Sequence, residues 1–206
     1  YEFVYAALGV HPSEVEGLTE DDMAWISSHA AHEKVAAIGE IGLDYHWPEP
    51  KPALQKQWFR RQIELAKEVK LPIIVHSRDA AEPTMQIIQE TKAYECGGVI
   101  HCYSYSPEMA EEYVKMGFFI GMGGVLTFKN AKKLVRCAER IPLSSIVLET
   151  DCPYMAPEPN RGKRNDSSQL IYVAQKLAEI KGITAEEVKQ VTTENAHRLY
   201  RLTQNK

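Results

Sequence analysis

Short, nearly continuous apolar runs alternate with amphipathic stretches from one end of the chain to the other. The runs are Tyr5–Val10, Val35–Gly39, Pro72–Val75, Gly98–Ile100, Phe118–Gly121 and Ile146–Leu148. They lack the polar–apolar alternation of a sheet with one wet face, so they read as strands covered on both sides. Between them, Gln57–Val69 sets Phe59, Ile63, Ala66 and Val69 at helical spacing. Lys132–Arg140 does the same with Leu134 and Ala138, continued by Ile141. Near the end, Gln169–Lys181, Glu186–Val191 and Glu194–Arg201 read as three successive helices. Thr19 with Asp22 and Thr184 with Glu187 have the spacing of helix-capping boxes. Strand and helix in alternation predict an α/β fold with a parallel sheet and right-handed crossovers. The sheet could be open and doubly wound or closed into a barrel, and periodicity does not choose between them. No repeat, low-complexity tract or linker interrupts the pattern, so residues 1–206 read as a single domain.

Composition narrows the function classes. At 206 residues, 44% hydrophobic and 25% charged, the chain has the make-up of a globular protein with a sizeable core. Its net charge of −4 gives no overall field to gather nucleic acid or an anionic bilayer, so any polyanion must be gripped locally. No apolar run approaches the ~20 residues that span a bilayer, and no signal-peptide pattern opens the chain. The four cysteines, Cys96, Cys102, Cys137 and Cys152, form no C-x-x-C pair. Reduced thiols, a cytoplasmic location and no obligate protein partner are the expectation. Residue 1 is Tyr rather than Met, which leaves an upstream segment open.

The candidate chemistry lies where the apolar runs end. His11 follows the first run, Glu40 the second, His76 the third and His101 the fourth, and Asp151 comes just after the sixth. In a parallel barrel all strand C-termini converge on one face, where active sites are built. An open sheet would spread these residues along an edge, so the set favours the barrel. Singly, a His after a strand is commonly a satisfied side chain, and an Asp before Cys-Pro is commonly a turn-former. Jointly, the carboxylates and imidazoles at equivalent strand ends point to a divalent metal. Imidazoles suit Zn²⁺, Mn²⁺ or Fe²⁺, and carboxylates suit Mg²⁺ or Mn²⁺. Glu40 could bridge two ions, and Asp151 could ligate a metal or act as general base. Cys102 and Cys152 adjoin His101 and Asp151, but neighbours on an extended chain point to opposite sides. Both thiols are therefore expected to pack away from the site. Arg161, Lys163 and Arg164 crowd the stretch EPNRGKRN, which with Arg78 suits a grip on phosphates.

The motifs GEIGLDY, HSRDA, HCYS, LETDCPYMAP followed by RGKRN, and TTENAHRLY occur in that order over nearly the whole chain. Together they resemble the TatD-type metal-dependent deoxyribonucleases, and GVHP at Gly9–Pro12 resembles that family's second-strand motif. The resemblance implies a TIM-type (β/α)8 barrel related to the amidohydrolases, cleaving DNA phosphodiester bonds as an exonuclease with a metal-activated water. It implies Glu40, His76, His101 and Asp151 as metal ligands, Glu40 bridging, for up to two ions. Mg²⁺ or Mn²⁺ is favoured, with Zn²⁺ the alternative. His11 matches a site residue, counted with Asp151 as catalytic, and Arg161 and its neighbours match a loop at the site's rim. The family's opening His-x-His pair is absent here. A full barrel takes about 250 residues, so roughly two βα units are unaccounted for. The expectation is a chain lacking its N-terminal segment. Other readings are an amidohydrolase-type enzyme cleaving a small-molecule ester or amide, and a non-catalytic incomplete barrel.

Overall fold

The structure, a computed structural model, describes residues 1–202. Its strands and helices run β1 (Ala6–Leu8), α1 (Glu20–His29), β2 (Val35–Asp44), α2 (Pro52–Val69), β3 (Ile73–Arg78), α3 (Ala81–Glu90) and β4 (Gly98–Ile100). They continue through α4 (Pro107–Lys115), β5 (Phe119–Met122), α5 (Lys132–Arg140), β6 (Ile146–Leu148), α6 (Leu170–Lys181) and α7 (Ala185–Leu199). The chain divides into two compact units, essentially Tyr1–Val99 and Ile100–Arg198. Among the described residues, no helix is long and apolar enough to cross a membrane.

In the first unit β1 pairs with β2, and β2 with β3, all parallel. Leu8 lies opposite Ile38, Ile38 opposite Ile73, and Asp44 opposite Arg78. Ile38, Ile41, Leu43, Ile73 and Val75 are fully buried, as continuous apolar runs require. β2 and β3 run past the apolar stretches, so Glu40 and His76 lie within strands rather than after them. The backbone ladder tolerates polar side chains, and pairing therefore continues to Asp44 and Arg78. Between Ile38 and Ile41, β2 carries one more residue than β3 does opposite, a bulge at Gly39 and Glu40. Gly39 is needed there because a Cβ would lie 2.5 Å from the Ile74 Cβ.

α2 begins at Pro52, earlier than the apolar spacing shows, since proline fits the first helical turn. Two of its buried side chains are glutamines, Gln55 and Gln62, two turns apart on one face. The Gln62 amide accepts from Val10 N–H at 2.7 Å and donates to Val10 O at 3.1 Å. Gln55 does the same for Asp44, at 2.8 Å both ways, and also donates to Pro50 O. One helix thus pins the backbone just before His11 and at the end of β2.

In the second unit β5 pairs with β6 in parallel, Ile120 opposite Ile146 and Met122 opposite Leu148. Tyr113, Phe118, Ile120, Met122, Ile146, Leu177 and Val188 form buried core. The two helices expected near the end are one, α7. Thr192, which reads as a break in the sequence, is buried and its hydroxyl donates to Val188 O at 2.8 Å within the helix. Asn195 donates to Leu143 O and Ile146 O at 2.8 and 2.7 Å, tying α7 to the start of β6. The expected cap at Thr184 is present, accepting from Glu187 N–H at 3.1 Å. In the first unit the Thr19–Asp22 capping box is complete.

Candidate metal-binding residues

In the first unit His11, Glu40 and His76 bring one ligand atom each to within 4.8 Å of one another. Gln62 fixes the approach to His11, the bulge in β2 aims Glu40, and β3 carries His76. The His11 and His76 rings meet edge to face with centroids 4.3 Å apart. His11 Nδ1 also accepts from Ser13 N–H at 3.2 Å, so the ring caps the short turn that follows it. Burial, and secondarily the neighbouring His76, lower the His11 pKa below its ordinary value, which favours the neutral, metal-ligating form. His76 Nδ1 lies 3.7 Å from Glu40, and its Nε2 lies 3.0 Å from Asp44. Asp44 is 4% exposed and also accepts from His46 N–H at 3.0 Å. Its role beside His76 went unread in the sequence. Residues 40, 42 and 44 of a strand share one face, and that spacing was the available signal.

In the second unit His101, Cys102 and Asp151 form another trio with ligand atoms within 4.8 Å of one another. The expectation that Cys102 faces away is corrected. β4 ends at Ile100, and Cys102 takes a left-handed conformation, φ 48°, so strand alternation no longer applies. Cys152 is exposed rather than packed. His101 Nε2 lies 3.4 Å from Asp151, while Nδ1 lies 2.7 Å from Glu149. The other Glu149 oxygen accepts from Cys102 N–H at 2.5 Å. A carboxylate only accepts, so the ring donates from Nδ1 and leaves the Nε2 lone pair toward Asp151. Gly121 makes room for this, since a Cβ there would lie 2.6 Å from the Glu149 carboxyl atoms. Glu149 was visible as a carboxylate two residues before Asp151, but its partner was not.

Imidazole nitrogens and carboxylate oxygens in each trio make donor sets that fit a divalent ion, and the Cys102 thiol adds a softer donor. The sequence profile described as TatD related DNase matches residues 1–201. The chain belongs to that family. A Bacillus subtilis (strain 168) relative named "Uncharacterized metal-dependent hydrolase YabD" is 52% identical, covering 98% of this chain and 79% of its own. YcfH of Escherichia coli (strain K12), named in the same terms, is 39% identical, covering 97% of this chain and 74% of its own. The crystal structure of YJJV, a TatD homolog from Escherichia coli K12, matches with a TM-score of 0.91 and 32% identity. That match covers 98% of this chain and 79% of the other. The fold is therefore α/β of the TIM-barrel type, and the chain is a TatD-family metal-dependent hydrolase.

The remaining expected site residues are exposed. Arg78 ends β3, opposite Asp44 in the strand ladder. Arg161 stacks its guanidinium on Phe128, 4.3 Å from the ring centroid, and Lys163 donates to Asn160 Oδ1 at 3.1 Å. Arg164 is exposed on the same loop.

Proposed function

We propose that this chain is a divalent-metal-dependent phosphodiesterase acting on DNA, a deoxyribonuclease working from an end. The observation that carries the reading is the pair of donor trios: His11, His101, Cys102 and Asp151 follow the ends of β1, β4 and β6, where barrels place their chemistry, and Glu40 and His76 lie within β2 and β3. The family's DNase description supports the substrate class. Glu40, His76, His101 and Asp151 are the proposed metal donors, with His11 lying against His76 as a further site residue. Mg²⁺ or Mn²⁺ is the proposed ion, with water and substrate oxygens joining the Glu40 and Asp151 carboxylates, and the imidazoles and the Cys102 thiol keep Zn²⁺ as the alternative. A bound divalent ion would polarise a phosphate oxygen and lower the pKa of a water. Asp151, with its side chain 34% exposed, is also the proposed general base for an attacking water. Arg78, Arg161, Lys163 and Arg164 are the proposed phosphate contacts.

The test is cleavage of end-labelled oligonucleotides with millimolar Mg²⁺ or Mn²⁺, alongside metal content of the purified chain. His101→Ala should lose at least 100-fold in rate and retain its circular dichroism. Parent activity with parent metal content in that variant would show that His101 is no ligand. Hydrolysis of a lactone with no cleavage of any DNA would replace the reading by a small-molecule hydrolase.

A further inference from the structure

We infer that the outer face of α5 is a docking track for a nucleic-acid backbone, an inference that rests on the DNA reading above and adds a surface neither trio includes. Lys129, Lys132, Lys133 and Arg136 recur at spacings of three and four residues, and all four are exposed. Two grooves flank α5 and share Lys132, Arg136 and Glu139. One, of about 700 Å³, runs toward the start of α4. The other, of about 460 Å³, reaches Lys129 and Phe128. On Phe128 sits the Arg161 guanidinium, so the cationic surface continues into the loop already proposed to hold phosphate.

Three features argue that these cations serve a ligand. The first is pairing. Arg140, one turn further on, is held by Glu108 and Glu111, which occupies two carboxylates of α4 that could otherwise neutralise the face. Among the described residues, Lys129, Lys132, Lys133 and Arg136 form no ion pair; Glu139 lines both grooves, and Glu108, taken by Arg140, lines the larger one. The second is helix electrostatics. Lys132 and Lys133 lie in the first turn of α5, where the helix dipole disfavours cations and no acid or side-chain cap compensates. α1, by contrast, opens with Glu20, Asp21 and Asp22. These lysines therefore do not stabilise their own helix. The third is reach. Within the helix, Lys132 to Arg136 spans about 6 Å at helical rise, more than one phosphate at 3.4 Å per nucleotide of a strand. A single anion would leave half the cations unused. A bilayer would need apolar side chains to insert, and no exposed large apolar residue lies on α5.

Anisotropy of a fluorescent (dT)20 strand tests the track, in EDTA so that no turnover intervenes, over a salt series. The triple variant Lys132→Gln, Lys133→Gln, Arg136→Gln should bind at least tenfold more weakly at low salt. Its slope of log affinity against log salt should be shallower by about 2, three contacts at ~0.7 each for a single strand. Glu139→Gln should bind more tightly, and it carries the test by itself if the triple variant misfolds. Unchanged affinity and slope in the triple variant, or in Glu139→Gln where that stands alone, would overturn the track. Equally tight binding of the parent to phosphatidylserine vesicles would also overturn it, in favour of a generic anionic surface. Hydrolysis of bis(p-nitrophenyl) phosphate with Mn²⁺ separates the two claims. The triple variant should keep the parent rate there, and a matching loss would overturn the track as a structural effect. A parent that cleaves no diester sinks the phosphodiesterase reading while the binding result still judges the track.

Discussion

Glu149→Gln keeps the volume of the side chain and reverses its chemistry at one atom. The carboxylate accepts from Cys102 N–H at 2.5 Å and faces His101 Nδ1 at 2.7 Å, with His101 and Glu149 side chains 10% and 15% exposed. In the variant, the amide oxygen can still accept from Cys102 N–H only if its NH₂ turns toward Nδ1. The ring must then accept at Nδ1 and carry its proton on Nε2, removing the lone pair that faces Asp151. A hydrogen bond to a charged group in such a site contributes about 1.5–3 kcal/mol. Loss of a partner that orients a ligating imidazole typically weakens metal binding 10- to 100-fold. Gly121→Ala should produce a related defect without touching either partner. Its Cβ would lie 2.6 Å from the carboxyl atoms, and the carboxylate must retreat by about 1 Å to reach ordinary contact. A displacement of that size along the bond to His101 would stretch it from 2.7 Å to about 3.7 Å, past hydrogen-bonding range. The assay is the His101 tautomer in long-range ¹H–¹⁵N spectra of the metal-free protein, followed by Mn²⁺ titration calorimetry. The parent should show the proton on Nδ1, and Glu149→Gln should show it on Nε2 with weaker metal binding. The same tautomer and the same affinity in parent and variant would refute the reasoning.

Two further outcomes follow from burial. Gln55→Leu leaves the Asp44 N–H and O and the Pro50 O without their partner, and should cost about 2–4 kcal/mol in urea unfolding; a cost under about 1 kcal/mol would mean that those groups find water. In the native protein Ellman's reagent should modify exposed Cys152 first and buried Cys96 and Cys137 last, burial pushing the Cys137 thiol up to about 11. Equal rates for Cys137 and Cys152 would contradict that burial.

The parallel α/β plan was legible because strands covered on both faces leave long apolar runs, and β4 and β6 occupy the stretches those runs mark. The candidate donors stood out for a local reason: a charged or imidazole side chain directly after an apolar run is visible without knowing the fold, whether the strand stops there or, as at Glu40 and His76, runs on. The left-handed turn at Cys102 was not visible, because the strand rule gives no sign of where β4 stops. Nor was the continuity of α7, since a buried threonine that bonds back within its helix looks in sequence like one that breaks it.

The supports of the donors were hidden for a deeper reason. His11 is reached through Gln62, 52 residues away from the Val10 backbone it holds. Asp44 is fixed by Gln55, and Glu149 owes its position to a missing side chain at Gly121. None of these relations has a period or a motif. Each consists of a polar group or a space supplied by one element to the end of another, and each exists only once the strands lie in register. The candidate donors are therefore concentrated at places the sequence marks. The precision with which that chemistry is held comes from glutamines and glycines whose apparent ordinariness conceals their function. Substitutions at Gln55, Gln62 and Gly121 should consequently reveal more about how this family holds its donors than substitutions of the donors themselves.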